Sequence, residues 1–290
     1  MLSKPKVLVT GANGLLGRNS IQLLCDEYEV YAAVHIMPRE PVDHVKYIML
    51  DLSEQWSVEE LPSNLDVIIH LAQSSRFREF PEQSPDIFNV NISSTARLLD
   101  FAWRTNVKKF VYASSGGIYD SSETALDEDS SIVAHSQLGF YLGSKLCGEV
   151  LVQNYSQLMD VTTLRFFFIY GAGQRRTMLI PRIIDSVSDY TPISLQGNDG
   201  LRINPIHVSD AVLAIKKLLK MAGSHTINIA GPSTLPLKKI AETIGDVIGR
   251  KPVFDYIGGE PMDLIGDTTA MKRLLHTPQI LFKNGIKDLI

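Results

Sequence analysis

Five short runs in the first half of the chain are apolar at nearly every position: "KVLVT" (Lys6 to Thr10), "EVYAAVH" (Glu29 to His35), "VKYIMLD" (Val45 to Asp51), "LDVIIHLA" (Leu65 to Ala72) and "KKFVYASS" (Lys108 to Ser115). A strand with one wet face alternates apolar and polar residues, so runs apolar throughout predict strands covered on both sides. Between them, "LLGRNSIQLLCDEY" and "NISSTARLLDFAWRTN" carry apolar residues at helical spacing. Strands and helices in alternation predict an α/β fold with a doubly wound parallel sheet.

After about residue 170 the texture changes. Pro181, Pro192, Pro205, Pro232, Pro236, Pro252 and Pro261 cut the chain into shorter pieces, among which "SDAVLAIKKLLKM" and "PLKKIAETIGDVIG" remain helix-like. This predicts a dinucleotide-type domain over 1–170 and a smaller C-terminal substrate lobe over 171–290. The boundary is soft, the chain can cross it more than once, and the lobe is expected over the carboxyl ends of the strands.

Composition narrows the function classes. The chain has 290 residues and a formal net charge of −4, with no basic run of the kind that binds nucleic acid. Its N-terminus runs into a strand without the apolar core of a signal peptide. The run "LRFFFIYG" is far shorter than the roughly 20 residues needed to span a bilayer. No membrane association and a cytoplasmic location are expected, with Cys25 and Cys147 as buried or half-buried free thiols. No His, Cys, Asp or Glu grouping has metal-site spacing, and no metal is expected.

The stretch "VTGANGLLGR" sets Gly11, Gly14 and Gly17 after the first strand and at the mouth of the first helix. In that context glycines permit a tight turn (Gly11), close approach of a pyrophosphate (Gly14) and close helix packing (Gly17). The helix N-terminus adds free N–H groups and a partial positive charge. Far downstream, "FYLGSK" places Tyr141 and Lys145 four residues apart, on one face of a helix. An ammonium beside a phenol favours phenolate and brings its pKa of about 10 toward the working range.

With spacing G-x-x-G-x-x-G and the "YLGSK" stretch, the chain resembles the extended short-chain dehydrogenases/reductases. More narrowly it resembles the NAD-dependent epimerase/dehydratase family that acts on nucleotide sugars. "DVIIHLAQ", "NISSTARLLDFA", "FVYASSGGIYD", "FYLGSKLCGE", "LRFFFIYGAGQ", "INPIHVSDAV" and "INIAG" stand in that family's order. The resemblance implies a Rossmann-type fold and a catalytic set of Ser115, Tyr141 and Lys145. The phenol would be the acid/base and Ser115 would hold the substrate oxygen, with Ser114 packing or bonding backbone. It implies cofactor contacts from Gly11, Asn13, Gly14, Leu15, Leu16, Gly17, His35, Asp51, Leu52, Leu71, Ala72, Gln73, Tyr141 and Lys145, with Ala72 and Gln73 on the nicotinamide side. A strand-end capping role is the other reading of Asp51, and a satisfied core residue is the reading of His70.

An acid at the end of the second strand would favour NAD; His35 stands there, so either NAD or NADP is allowed, with a lean to NADP. The resemblance also implies a homodimer built from the helices bearing "YLGSKLCGEVLVQNY" and "TARLLDFAWRTN". Gly116 and Gly117 stand where dehydratases carry Asp-Glu, which disfavours dehydration. Phe168 replaces an asparagine that contacts the substrate diphosphate, Glu260 replaces an arginine, and Arg202 alone matches a phosphate-binding position. Ser115, Phe168 and Arg202 are thus the expected substrate contacts. The expected function is NAD(P)-dependent hydride transfer at a secondary alcohol or ketone of a sugar-like small molecule. The alternative is a dinucleotide-binding redox sensor or partner subunit without turnover.

Overall fold

A computed structural model describes residues 4–290. The five apolar runs form strands: β1 (Lys6–Thr10), β2 (Glu29–Val34), β3 (Lys46–Met49), β4 (Val67–His70) and β5 (Lys109–Ser115). With β6 (Asp160–Phe166) and a last strand at His225–Ile229 they make a seven-stranded sheet. From one edge the order is the 225–229 strand, β6, β5, β4, β1, β2, β3. β1 pairs in parallel with both β2 and β4, β2 with β3, and β4 with β5. β1, β4 and β5 are buried over nearly their whole length, whereas edge strand β3 is not. That matches continuous apolar runs covered on two faces. The strand order reverses between β1 and β4, the position where clefts open in such sheets.

Helix α1 (Leu15–Leu24) follows β1. The segment after β4 forms α2 (Ser84–Phe88), a π-turn over Asn89–Ser93 and α3 (Ser94–Arg104). The periodicity of "NISSTARLLDFAWRTN" does not reveal that widened turn, because one extra residue leaves the apolar stripe nearly in phase. Helix α4 (Gly139–Asn154) precedes β6. Among the described residues no helix is long and apolar enough to cross a membrane.

The chain divides into two compact units, and a single cut at residue 170 does not describe them. One contains 1–118, 132–165 and 215–227; the other contains 119–131, 166–214 and 228–290. The physical reason is the sheet itself: its last strand, beginning at His225, must return to pair beside β6.

The second unit has its own core. Helix Leu179–Ser188 buries Ile180, Ile183, Ile184 and Val187, and helix Leu237–Ile248 buries Leu237, Ile240, Ala241 and Ile244. These side chains pack in one cluster with Tyr170, Phe282 and Ile286. Two of the prolines that cut this part of the chain into short pieces do so at the starts of helices. Pro181 lies in the first turn of one helix and Pro236 caps the other, positions where a missing N–H costs nothing. The Asp210 carboxylate accepts the backbone N–H groups of Gln279 (3.0 Å) and Ile280 (2.8 Å), tying down the C-terminal segment.

Candidate active site

The glycine loop closes by a hydrogen bond from the Gly14 N–H to the Gly11 carbonyl at 2.9 Å. Gly11 has φ +66°, and a Cβ there would lie 2.7 Å from the Ala72 Cα, so the loop sits directly on the backbone leaving β4. A Cβ on Gly17 would come within 2.2 Å of the Gly11 carbonyl oxygen, which is why α1 can start so close to the turn. A Cβ on Gly14 would meet only the Gly11 oxygen, at 3.1 Å. Gly14 is the N-cap of α1 and no side chain caps that end, so the first N–H groups remain available. A cradle open only in front of Gly14, at an uncapped helix start, fits a pyrophosphate.

Around the loop, the Asn13 Nδ2 donates to the Ile36 carbonyl at 2.5 Å, pinning the segment after β2. Leu15 and Leu16 are half-buried in the first turn of α1, and His35 is exposed at the end of β2. Leu52 and Ala72 are buried, with Leu71 and Gln73 half-buried. Asp51 accepts from the Ser53 hydroxyl (2.6 Å) and the Ser53 N–H (2.9 Å). The Ser53 hydroxyl, its backbone N–H and nearby His35 hold this carboxyl below the usual carboxylate range, against burial. His70 is a core residue, its ring between Thr10 (2.7 Å) and Thr95 (3.0 Å). Burial drives its pKa down to about 3, so it stays neutral.

Helix α4 carries the chemistry because of what its inner face lacks. Ser144, Lys145, Gly148, Glu149 and Val152 are its buried residues. A Cβ on Gly148 would fall 2.1 Å from the Tyr112 Oη, so only glycine lets the helix cross β5 at this distance. That approach brings Tyr141 to the carboxyl end of β5, within hydrogen-bonding reach of the Ser115 hydroxyl. The Ser115 Oγ also accepts the Gly117 N–H at 3.1 Å, which fixes its direction. Neighbouring Ser114 has a buried hydroxyl without a hydrogen-bond partner, so of the two expected roles it fills packing alone.

The lysine does not act on the phenol as expected. The Lys145 Nζ donates to the Ala113 carbonyl at 2.9 Å, and its side chain is fully enclosed. Burial lowers its pKa to about 8, against the attraction of Glu149 one turn along. Glu149 in turn is held by a buried ion pair with Arg165 of β6, at 2.8 Å. Tyr141 shifts upward, to about 12: burial disfavours the phenolate more than the Ser115 hydrogen bond and the Arg78 guanidinium favour it. Helical spacing correctly put both residues on one face; it could not reveal how strongly the protein interior opposes charge there.

Three further residues shape this site. The Tyr141 Oη donates to the Gln73 Oε1 at 2.9 Å. Phe77 packs its ring 4.7 Å from that of Tyr141. Buried Asn91, in the π-turn, accepts the Ser74 N–H (2.9 Å) and donates to the Ser144 Oγ (2.8 Å), joining the loop after β4 to α4. Of these, the sequence points to Gln73 alone, as a cofactor contact. Phe77 and Asn91 have no local pattern that would mark them, because their partners lie 64 and 53 residues away.

Phe168 and Arg202 belong to the second unit. Phe168 has φ +44°, a region where bulky side chains are strained and asparagine is tolerated. Arg202 is held by Asp263: its Nε donates to a carboxylate oxygen at 2.7 Å and its backbone N–H to the other at 2.7 Å. Part of its charge is therefore already matched. Glu260 is exposed. Cys147 is exposed rather than half-buried, because it falls on the outer face of α4.

Residues 7–230 match the model of the NAD dependent epimerase/dehydratase family. The uncharacterized UDP-glucose epimerase YtcB of Bacillus subtilis is 28% identical, over 98% of this chain and 96% of that protein. The GDP-6-deoxy-D-talose 4-dehydrogenase of Aggregatibacter actinomycetemcomitans is 32% identical, over 77% of this chain and 74% of its own. Among solved structures, MoeE5 in complex with UDP-glucuronic acid and NAD is 26% identical. It superposes with a TM-score of 0.85 over 98% of this chain and 97% of that one. The coenzyme in that structure is NAD, and the lean to NADP gains no support from it.

Proposed function

The chain belongs to the NAD dependent epimerase/dehydratase family, and on that premise we propose that it oxidises and re-reduces a secondary alcohol of a nucleotide sugar, as an epimerase or a ketoreductase. The observation that carries this reading is the gathering of Ser115, Tyr141 and Lys145 at the sheet edge that also bears the glycine cradle. A nicotinamide dinucleotide held there would supply the hydride acceptor. The Ser115 hydroxyl orients the substrate oxygen, and Tyr141, in its phenolate form, takes the alcohol proton as the carbon is oxidised, then as phenol gives it back on reduction. Lys145 keeps a cation beneath this end of α4, where it can meet a ribose hydroxyl of the coenzyme.

NAD is the proposed coenzyme. A nucleotide sugar is the proposed substrate class, supported by the ligand of the MoeE5 structure. Phe168 and Glu260 would remove two of the expected diphosphate contacts and Arg202 would retain one. Such substitutions alter which nucleotide sugar is accepted. A homodimer through α3 and α4 is proposed on the exposure of Trp103 (46%) and Val150 (56%).

The test incubates purified protein and NAD with UDP-glucose, UDP-glucuronic acid, GDP-linked 6-deoxy sugars and their 4-keto forms, reading NADH absorbance and products by mass spectrometry. Turnover that falls about 10²–10⁴-fold in Tyr141→Phe supports the assignment; undiminished turnover refutes it. The second reading, cofactor binding without turnover, draws on strained Phe168 and on Arg202 already paired with Asp263. It would be favoured by tight NAD binding with no product from any of these substrates.

A further inference from the structure

Among the described residues, the side chain that takes the Tyr141 hydroxyl proton in a hydrogen bond is an amide from another element. Gln73 follows directly on β4, and the backbone on both sides of it is pinned. The Ala72 N–H donates to the Thr10 Oγ1 at 3.2 Å, and the Ser74 N–H donates to Asn91 at 2.9 Å. The Ser74 hydroxyl donates to Asp86, and the Arg76 N–H donates to the Ser74 Oγ at 3.0 Å. The amide's reach is thus set by a loop fastened to β1, α2 and the π-turn. From the same loop, Phe77 lies against the Tyr141 ring, and the Arg78 guanidinium sits 5.0 Å over the Phe77 ring. One loop therefore holds both the ring and the hydroxyl of the acid/base.

We propose that Gln73 is a positioning residue for Tyr141: its carboxamide accepts from the protonated phenol and turns over to donate to the phenolate, the form left once the proton has gone to substrate and needed before one is taken from it. This rests on the redox reading above. A carboxamide is suited to the task because it carries an acceptor and two donors that exchange places by rotation about one bond. A carboxylate at the same place could only accept, and would penalise the phenolate by repulsion. An apolar side chain could do neither. The charged and titratable groups that bear on the phenol are Arg78 from the loop and Tyr112 from β5; Lys145 and Glu149 lie further along α4 and interact with each other. The acceptor bond from Tyr141 to Gln73 favours the neutral phenol, so the turned amide is what keeps the site from locking the proton on the tyrosine.

The test compares wild type, Gln73→Met, Gln73→Glu and Gln73→Ala as intact coenzyme-loaded proteins, with folding checked by circular dichroism. The first readout needs no substrate: phenolate absorbance against pH, assigned to Tyr141 by its loss in Tyr141→Phe. Gln73→Glu is expected to ionise at least about one pH unit above Gln73→Met. The second readout is kinetic: Gln73→Met and Gln73→Ala are expected to lose kcat about tenfold or more while KM and coenzyme affinity change less than about threefold. In Gln73→Glu the rising limb of kcat should move to higher pH with the titration. If Glu and Met variants titrate together, or if only coenzyme affinity changes, Gln73 merely lines the cofactor site and the proposal fails. Absence of turnover in every variant with the expected order of titration would overturn the redox reading while leaving the contact standing.

Discussion

Lys145→Met should cost this protein its chemistry while sparing or improving its stability. The ammonium is enclosed and its pKa falls from 10.5 to about 8, chiefly by desolvation. At 1.36 kcal/mol per pH unit, that displacement corresponds to about 3 kcal/mol of preference against the charged form. Below pH 8 the folded and unfolded chains are both protonated at this lysine, and the folded state carries the whole penalty. Between pH 8 and 10.5 the unfolded chain holds the proton and the folded one does not, so wild-type stability rises with pH across that window.

Methionine removes the charge but leaves the Ala113 carbonyl, now accepting from Lys145 at 2.9 Å, without its donor. Leaving it unpaired costs about 1–3 kcal/mol. At neutral pH the variant should therefore match wild type or exceed it by up to about 2 kcal/mol. That difference should move in favour of wild type by about 3 kcal/mol as the pH reaches the alkaline end of the window. Urea unfolding of both proteins at several pH values, without added coenzyme, measures it. A difference that stays flat from neutral to alkaline pH would show that this lysine is not desolvated as described, and would remove the case that its charge is kept for catalysis at a cost in stability.

Two other expectations concern the frame of each unit. Gly148→Ala puts a methyl 2.1 Å from the Oη of fully buried Tyr112. Overpacking of about 1–3 kcal/mol should outweigh the ~1 kcal/mol gain in helix propensity, lowering the urea midpoint and shifting Tyr141. A raised midpoint would contradict the close crossing of α4 over β5. Asp210→Ala should destabilise the second unit by about 2–4 kcal/mol at neutral pH, since two backbone N–H groups lose a charged acceptor. Burial pushes this carboxyl up, yet His276 and those N–H groups hold it below its ordinary 3.8. The contribution is therefore complete above that value and fades as the pH drops through the lower folded pKa. A wild-type–variant gap that grows on acidification would reverse the assigned sign.

The amino-acid sequence by itself determined the layered α/β architecture, because strands that must be covered on both faces are apolar at nearly every position. It determined the glycine loop too: Gly14 and Gly17 answer to backbone geometry within seven residues, although Gly11 also has to clear the backbone of Ala72. The pairing of Tyr141 with Lys145 on one helical face was equally local. Only the tertiary structure decided the rest. Five crossings between the units follow from where β6 and the 225–229 strand find partners, which no local pattern encodes. The direction of the Tyr141 and Lys145 shifts depends on desolvation by the whole fold, and it reverses what the four-residue spacing alone suggests for the phenol. The grip of Gln73 on Tyr141 joins residues 68 apart. Spacing along a chain reports which groups share an element; burial and contact across elements set what those groups can do.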